Sequence, residues 1–239
     1  MPVRLSDTLK KLLLAYVAVF IVQHIIDQFM GGNFAGWFAL TPIDFFHGKI
    51  WTLFTYGFLH SDIMPLVLNC LVLAFIGGEL EAIWGKKKFL TYYFFCSIMV
   101  GVFYLFLQLL PVALPPLMGA SGGVYGVLMA YGILFPEREL LFMMLFPMQA
   151  KQFVWVLAGI EFLQAVFSGG GSGTMVAAVA HLSGMGVGFL YLWAMAKGIR
   201  IRKGNAAKIG STKRNASHLR LVPGTEDDEP KRGGPKTWH

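Results

Sequence analysis

Two side chains that can do chemistry together stand inside apolar segments of this chain. Ser121 lies in the run Met118-Gly-Ala-Ser-Gly-Gly-Val-Tyr125, and His181 lies in the run Ala180-His-Leu-Ser-Gly184. A serine hydroxyl becomes a nucleophile when a neutral imidazole within hydrogen-bond reach accepts its proton. Polar groups of this kind in apolar helices are functional-site candidates by default. The pair therefore predicts acyl-transfer chemistry, provided that the fold brings the two residues together.

The composition indicates that these segments cross a membrane. Of the 239 residues, 56% are apolar and 14% are charged, and the mean hydropathy is +0.60. A spanning helix needs about 20 mainly apolar residues. Windows near that length lie at about 12–30, 64–84, 89–110, 120–135, 152–168 and 174–196. The fourth window is short for a span, which is tolerated only where protein or a wet cavity covers its ends.

The basic residues predict the orientation of these six segments. Cytoplasmic loops of membrane proteins carry an excess of Lys and Arg. The loops on one side hold Arg4, Lys10, Lys11, Lys86, Lys87, Lys88, Arg138, Lys151, Lys197, Arg200, Arg202 and Lys203. The loops on the other side, at about 31–63, 111–119 and 169–173, hold Lys49 alone. We therefore expect a multi-pass protein with both termini in the cytoplasm.

The chain divides in composition into a helical domain, 1–200, and a tail, 201–239. From about residue 204 the tail is rich in Gly, Ser, Lys and Arg and has no apolar period, so we expect it to be disordered. Its basic residues contribute to the net charge of +7 and favour contact with the anionic surface of the lipid bilayer. No aromatic platform accompanies the charge, so nucleic acid is not an expected partner.

Helix direction predicts which polar residues can meet. The second, fourth and sixth segments run the same way, so Asn69, Ser121 and His181 each lie in the first third of their helices from the outer face. No Asp or Glu lies at that depth in these three helices. The expected arrangement is therefore a Ser-His dyad without the carboxylate that orients the imidazole in a triad.

Three further groups are candidates for supporting roles. Tyr125 lies one helical turn after Ser121, where its ring can pack on the imidazole; the alternative is an ordinary core tyrosine. The side chain of Asn69 and the backbone N–H of Ser121, at a helix start, can donate to an oxyanion. For Asn69 the alternative is a hydrogen bond between helices.

Small residues can bring the fourth and sixth helices close together. Small faces let helix backbones approach each other in lipid, although such patterns also occur in ordinary helix packing. The small residues of the fourth helix are Gly119, Gly122, Gly123 and Gly126, and those of the sixth helix are Ala180, Gly184 and Gly188.

Taken together, these motifs resemble those of the rhomboid intramembrane serine proteases over about residues 10–197. The matching pieces are Gly119-Ala-Ser-Gly122 with Tyr125, Ala180-His181 with Gly184 and Gly188, Trp51 with His60 and Asn69, and Gly77-Gly78 through Glu81 to Gly85. The resemblance implies an all-α membrane protein, a six-helix bundle with a water-filled cavity open to the outside. In it Ser121 attacks a peptide bond, His181 is the general base, and Asn69, Tyr125 and Gly122 support the reaction.

The resemblance also implies the partners of such a site. Its substrates would be single-span membrane proteins, cut near their outer ends at small residues in helix-weakened sequence, and no metal or other cofactor is expected. The compact six-span form, without an organelle-targeting extension, favours a bacterial inner membrane. Two other functions stay open: an inactive relative that binds membrane clients, and a small channel or transporter, for which we find no inverted repeat.

Two positions depart from the family pattern. Pro65 stands four residues before Asn69, where many members carry a histidine that contributes to the oxyanion site, and His60 is a candidate substitute. Thr52 follows Trp51 where the family has an arginine, so a donor that anchors the first loop is lost.

The carboxylates inside the predicted spans need separate explanations. Glu79 and Glu81 lie near the inner end of the second helix, far from Ser121, which favours structural roles. Glu161 lies in the middle of the fifth helix, near Gln164, and must find a partner or stay protonated.

Overall fold

The computed structural model describes residues 5–107, 114–142, 146–168 and 173–212. The chain divides into two units, Met1–Ala196 and Lys197–His239, and the helical bundle belongs to the first. The bounds of its elements are as follows. The first half contains α1 (Asp7–His24) with a π-helical turn (Ile25–Phe29), α2 (Phe34–Phe38), α3 (Pro42–Phe46), α4 (Thr52–Thr55) with a 3₁₀ turn (Tyr56–Phe58), α5 (Ile63–Val72) with a π-helical turn (Leu73–Gly77), and α6 (Gly78–Trp84). The second half contains α7 (Lys86–Leu107), α8 (Ser121–Leu134), strands β1 (Glu139–Phe142) and β2 (Phe146–Gln149), α9 (Ala150–Phe167) and α10 (Gly173–Thr212).

The six expected spans appear as helices in the described part of the chain. Five segments are long and apolar enough to cross a membrane: Asp7–Phe29, Ile63–Trp84, Lys86–Leu107, Ala150–Phe167 and Gly173–Lys197. The sixth helix, α8, is shorter, as its window predicted. Nine of its 14 residues are buried, so neighbouring helices cover it. The fold is therefore the predicted α-helical membrane bundle, with a short helix at its centre.

The contact between α8 and α10 is as close as their glycines allow. A Cβ atom on Gly184 would lie 2.2 Å from the carbonyl oxygen of Gly122, and one on Gly188 would lie 3.1 Å from the Cα of Gly126. Glycines of α8 also let α7 come close, because a Cβ on Gly123 would lie 2.7 Å from the Tyr93 ring. The predicted close contact is confirmed for Gly122, Gly126, Gly184 and Gly188, whereas Gly123 faces α7 and Gly119 lies in the turn before α8.

The segment between α1 and α5 is held by hydrogen bonds that do not need the missing arginine. Trp51 Nε1 donates to the Trp37 carbonyl at 3.1 Å, and Thr55 Oγ1 donates to the Phe38 carbonyl at 2.8 Å. Thr52 is fully buried and its hydroxyl donates to the Lys49 carbonyl at 2.7 Å. The segment folds into short helices that the sequence analysis did not predict.

Two carboxylates at the other end of the bundle have structural partners, as predicted. Glu81 is buried and accepts a hydrogen bond from the hydroxyl of Ser6, which also caps the start of α1. Glu79 accepts from the Tyr131 hydroxyl at 2.9 Å and so links α6 to α8.

Two features of the fold were not predicted. Strands β1 and β2 pair antiparallel in the segment between α8 and α9, for which the sequence analysis predicted no secondary structure. The helix α10 runs on to Thr212, past the point near residue 204 where the disordered tail was expected. Strong helix formers at Ala206, Ala207 and Lys208 favour this extension over the two glycines at 204 and 210. Residues 213–239 lie outside the described residues, so disorder there stays a prediction.

The contact between α8 and α10 predicts opposite effects for two neighbouring glycines. Gly184→Ala would place a methyl group against the α8 backbone, which cannot give way as a side chain can, and we expect a loss of about 1–3 kcal/mol of unfolding free energy. Gly186→Ala is the matched control, because a Cβ there meets nothing within 4 Å and alanine favours the helix by up to about 1 kcal/mol. Unfolding in mixed micelles measures both. Equal stability of the two variants would contradict the close contact.

Candidate active site

A cavity of about 480 Å³ brings the predicted site residues together. Ser121 and Tyr125 line it from α8, His181 from α10 and Asn69 from α5. Its lining also includes His60, from the loop before α5, and Pro65. Residues far apart in the chain therefore share one space, as their depths in the helices predicted.

The backbone before Ser121 is fixed from two sides. Leu117 forms a two-way backbone pair with Leu40, at 2.9 and 3.1 Å. Gly119 donates its N–H to the Tyr56 carbonyl at 3.0 Å, and its φ of +124° lies in a region that favours glycine. The first loop thus holds the turn that leads into α8, and α8 begins at Ser121.

The start of α8 offers hydrogen-bond donors to the cavity. No side chain caps this helix, and its first internal bond runs from the Val124 N–H to the Ala120 carbonyl at 3.1 Å. The N–H groups of Ser121, Gly122 and Gly123 therefore lack partners within the helix. Unpaired donors beside a nucleophile are suited to binding an oxyanion. The carbonyl of Gly122 faces α10 instead, where Gly184 packs against it.

His181 lies flat against Tyr125. The ring centroids are 4.0 Å apart and the ring planes differ by 9°, so the rings are stacked. Tyr125 is four residues after Ser121 on the same helix, which places the imidazole within about a turn of the serine. The predicted contact between Tyr125 and the imidazole is present.

A carboxylate also reaches the imidazole, which corrects the expectation that none would. Oε1 of Glu161, from α9, lies 3.0 Å from Nδ1 of His181, and the Tyr125 hydroxyl donates to the same oxygen. Sequence analysis missed this neighbour because it compared depths only among the second, fourth and sixth helices. Depth in the membrane could have indicated this neighbour. Glu161 lies six residues before the end of α9 and His181 eight residues after the start of α10, so both lie at a similar distance from the connection between these helices.

Asn69 is held by the loop before α5. Its amide nitrogen, Nδ2, lies 3.2 Å from Nε2 of His60, and His60 is in turn fixed by Gln23 of α1. The Gln23 side chain donates to the His60 carbonyl at 3.1 Å and accepts from the His60 N–H at 3.3 Å. The amide of Asn69 carries two N–H bonds. One is directed to His60, and no second partner is found among the described residues.

His60 is neutral in this arrangement. Burial lowers its pKa from 6.5 to about 4, against a smaller opposing effect of the Phe58 carbonyl. Because Asn69 Nδ2 can only donate, Nε2 of His60 must accept and Nδ1 carries the hydrogen. That Nδ1 is buried and has no hydrogen-bond partner among the described residues. His60 thus orients the Asn69 amide beside Pro65, where the family histidine is missing.

Metal chemistry is not indicated by the side chains that the structure describes. Within them, no group of three or more His, Cys, Asp or Glu residues could hold a metal ion. The polar groups that line the cavity are hydroxyls, imidazoles and an amide, and the Glu161 carboxylate lies beside one of the imidazoles. Such groups are suited to proton transfer and acyl transfer.

Comparisons with known proteins show the family of this chain. Residues 47–198 match the Rhomboid domain. Rhomboid protein 1, mitochondrial, of Saccharomyces cerevisiae is 29% identical over 68% of this chain and 46% of its own length. RHOMBOID-like protein 12, mitochondrial, of Arabidopsis thaliana is 28% identical over 83% of this chain and 59% of its own length. Rhomboid-like protease 3 of Toxoplasma gondii is 36% identical over 34% of this chain and 29% of its own length.

These matches bear on the expected membrane location and on the expected family. The chain spans about half the length of the first two relatives. The names of those two place them in mitochondria, so the expected bacterial inner membrane finds no support here, whereas a multi-pass membrane protein does. The Rhomboid domain covers more than half of the chain and includes Asn69, Ser121, Tyr125 and His181. The chain therefore belongs to the rhomboid family.

Proposed function

We propose that this chain is an intramembrane serine endopeptidase that cleaves the membrane-spanning segments of single-span proteins. The observation that carries the proposal is the shared cavity of Ser121 and His181, with the imidazole stacked on Tyr125. A hydroxyl and an imidazole in one cavity of a membrane bundle have few other uses, because polar groups at that depth are expensive. A relative from Toxoplasma gondii bears the name of a protease, which agrees with the proposal.

The reaction follows from the roles of these groups. The Ser121 hydroxyl attacks the carbonyl carbon of the scissile peptide bond while His181 accepts its proton. The carbonyl oxygen becomes an oxyanion, which the Ser121 N–H and the second N–H of the Asn69 amide stabilise. His181 then gives its proton to the leaving amine, and water hydrolyses the acyl-enzyme with His181 again as the base.

The lining of the cavity supports a membrane-spanning segment as the substrate. Its walls include Leu68 and Val72 of α5 and Phe153 and Leu157 of α9, so the space beside the serine is largely apolar. A substrate helix buries its carbonyls in its own hydrogen bonds, so a weakened stretch must unwind to expose one to Ser121. This requirement agrees with the preference for small, helix-breaking sequence that the family resemblance implies.

His60 supplies support that the family pattern places at position 65. In the proposed mechanism it fixes the Asn69 amide, so that one N–H faces the oxyanion. Removing one oxyanion donor typically lowers the rate by about 10²–10³-fold. The proline at 65 therefore does not abolish the oxyanion site, because Asn69 and the Ser121 N–H remain.

Cleavage by matched variants tests the proposed function. The purified full chain, reconstituted in liposomes, should cut a single-span substrate with a Gly-Ala-rich outer segment. Ser121→Ala should abolish cleavage, because the only other described aliphatic hydroxyl in the lining of the cavity is that of Ser61, in the loop before α5. Ser183→Ala is the control, since that hydroxyl donates to the Ala180 carbonyl of its own helix at 2.8 Å and should be dispensable.

Two outcomes of that assay would count against the proposal. If the wild type leaves the substrate intact, the chain is better explained as a rhomboid relative that binds membrane clients. If Ser121→Ala cleaves as fast as the wild type, the nucleophile is another residue.

The buried imidazole of His60 predicts a dependence of stability on pH. Its pKa is about 4 in the folded chain and 6.5 when exposed, so the unfolded state binds the extra proton between these values. The contribution of the neutral His60 imidazole to the free energy of unfolding is complete above about pH 6.5 and is lost as the pH falls toward about 4. Melting temperatures in detergent between pH 8 and pH 4 should therefore fall less for His60→Gln than for the wild type. His47→Gln, at an exposed histidine, is the control, and an identical acid dependence of wild type and His60→Gln would contradict the burial of a neutral imidazole.

A further inference from the structure

The helix α9 turns one carboxylate toward the site. Its buried residues are Ala150, Val154 and Glu161, which fall on a single stripe of the helix. The residues after the carboxylate face outward, with Phe162 59% and Leu163 54% exposed. A carboxylate inside a membrane is expensive and marks a functional position by default. Glu161 therefore needs an explanation beyond helix packing.

Two polar groups approach the same oxygen of this carboxylate. The Tyr125 hydroxyl donates to Oε1, and Nδ1 of His181 lies 3.0 Å from that atom. The side chains of His181 and Glu161 are 18% and 7% exposed, so water screens the pair little. Because the Tyr125 and His181 rings are stacked, the Tyr125 hydroxyl and His181 Nδ1 both lie near Oε1 of Glu161.

The contact with His181 is close but not yet aligned. Nδ1 is buried and lies 3.0 Å from Oε1, yet it forms no well-aligned hydrogen bond with any described residue. Catalytic hydrogen bonds are often long or misaligned in free enzymes and tighten when substrate binds. Other nearby polar groups do not compete for Nδ1: the Ser183 hydroxyl donates to its own helix, and Gln164 is exposed.

We propose that Glu161 is a positioning residue for the base, so that Ser121, His181 and Glu161 act as a triad whose carboxylate comes from α9. The inference rests on the proposed function. A carboxylate only accepts hydrogen bonds, so its place beside Nδ1 keeps the hydrogen there and leaves Nε2 to take the serine proton. The proton moves from Ser121 Oγ to His181 Nε2, and Glu161 stabilises the imidazolium without accepting the proton.

The experiment compares four variants of the full chain in liposomes by kcat and KM on the single-span substrate. Glu161→Gln keeps the size and hydrogen-bonding capacity of the side chain but removes its charge. We expect its kcat to fall by about 10–100-fold with KM within about twofold, less than in an aligned triad because Tyr125 also holds the ring. Glu161→Asp, which restores the charge, should recover part of the loss. Gln164→Leu, at an exposed polar residue of the same helix, should match the wild type.

Tyr125→Phe separates positioning from a purely structural tie between α8 and α9. It removes the hydroxyl that bonds Glu161 but keeps the stacked ring and leaves the carboxylate beside Nδ1. If Glu161 positions the base, Tyr125→Phe should lose less kcat than Glu161→Gln does. If the two variants lose equally, the bond to Tyr125 is the whole role of Glu161 and the proposal is overturned.

The remaining outcomes are also decisive. A kcat of Glu161→Gln within about twofold of the wild type would refute the positioning role while leaving the protease intact. The positioning role would also be refuted if the kcat of Glu161→Asp is no higher than that of Glu161→Gln while the two variants have equal melting temperatures. Absence of cleavage by the wild type would instead refute the proposed function, and the role of Glu161 with it.

Discussion

The site depends on the backbone contact between α8 and α10. Gly122 meets Gly184 and Gly126 meets Gly188, so the two helices touch at successive turns in one register. His181 lies one turn before Gly184, and this contact therefore carries it to the helix that begins with Ser121. A side chain at either contact would separate the helices and, with them, the nucleophile and its base. Packing and chemistry thus rest on the same small residues.

Burial of polar groups in an apolar bundle imposes the second constraint. A polar side chain buried in such a bundle is stabilised by a partner inside the protein, because lipid offers none. Tyr125 donates a hydrogen bond to Glu161 beside His181, while Gln23, His60 and Asn69 form a second hydrogen-bond network. These two networks approach the Ser121 end of α8 from different helices. They hold the groups proposed for proton transfer and for oxyanion binding, respectively.

Much of this arrangement could be predicted because its signals are local. Apolar windows predicted the spans, glycine spacing predicted the close faces, and the spacing of Tyr125 from Ser121 predicted the ring that meets His181. The partners that were missed lie on other elements. Glu161 lies on α9, which runs antiparallel to α8 and α10. His60 contacts Asn69 from the loop before α5, and Gln23 of α1 holds that loop by hydrogen bonds to the His60 backbone. Such contacts depend on how helices are arranged around the cavity, which no single segment encodes.

The most direct test of the account is to map where a fluorophosphonate probe reacts with the folded chain. The probe modifies serines that a nearby base activates, independently of any chosen substrate. Mass spectrometry of the labelled protein should find the adduct on Ser121, and His181→Ala should lose it while Gln164→Leu keeps it. An adduct elsewhere, or equal labelling of Ser121 without His181, would contradict the claim that the two residues work as nucleophile and base.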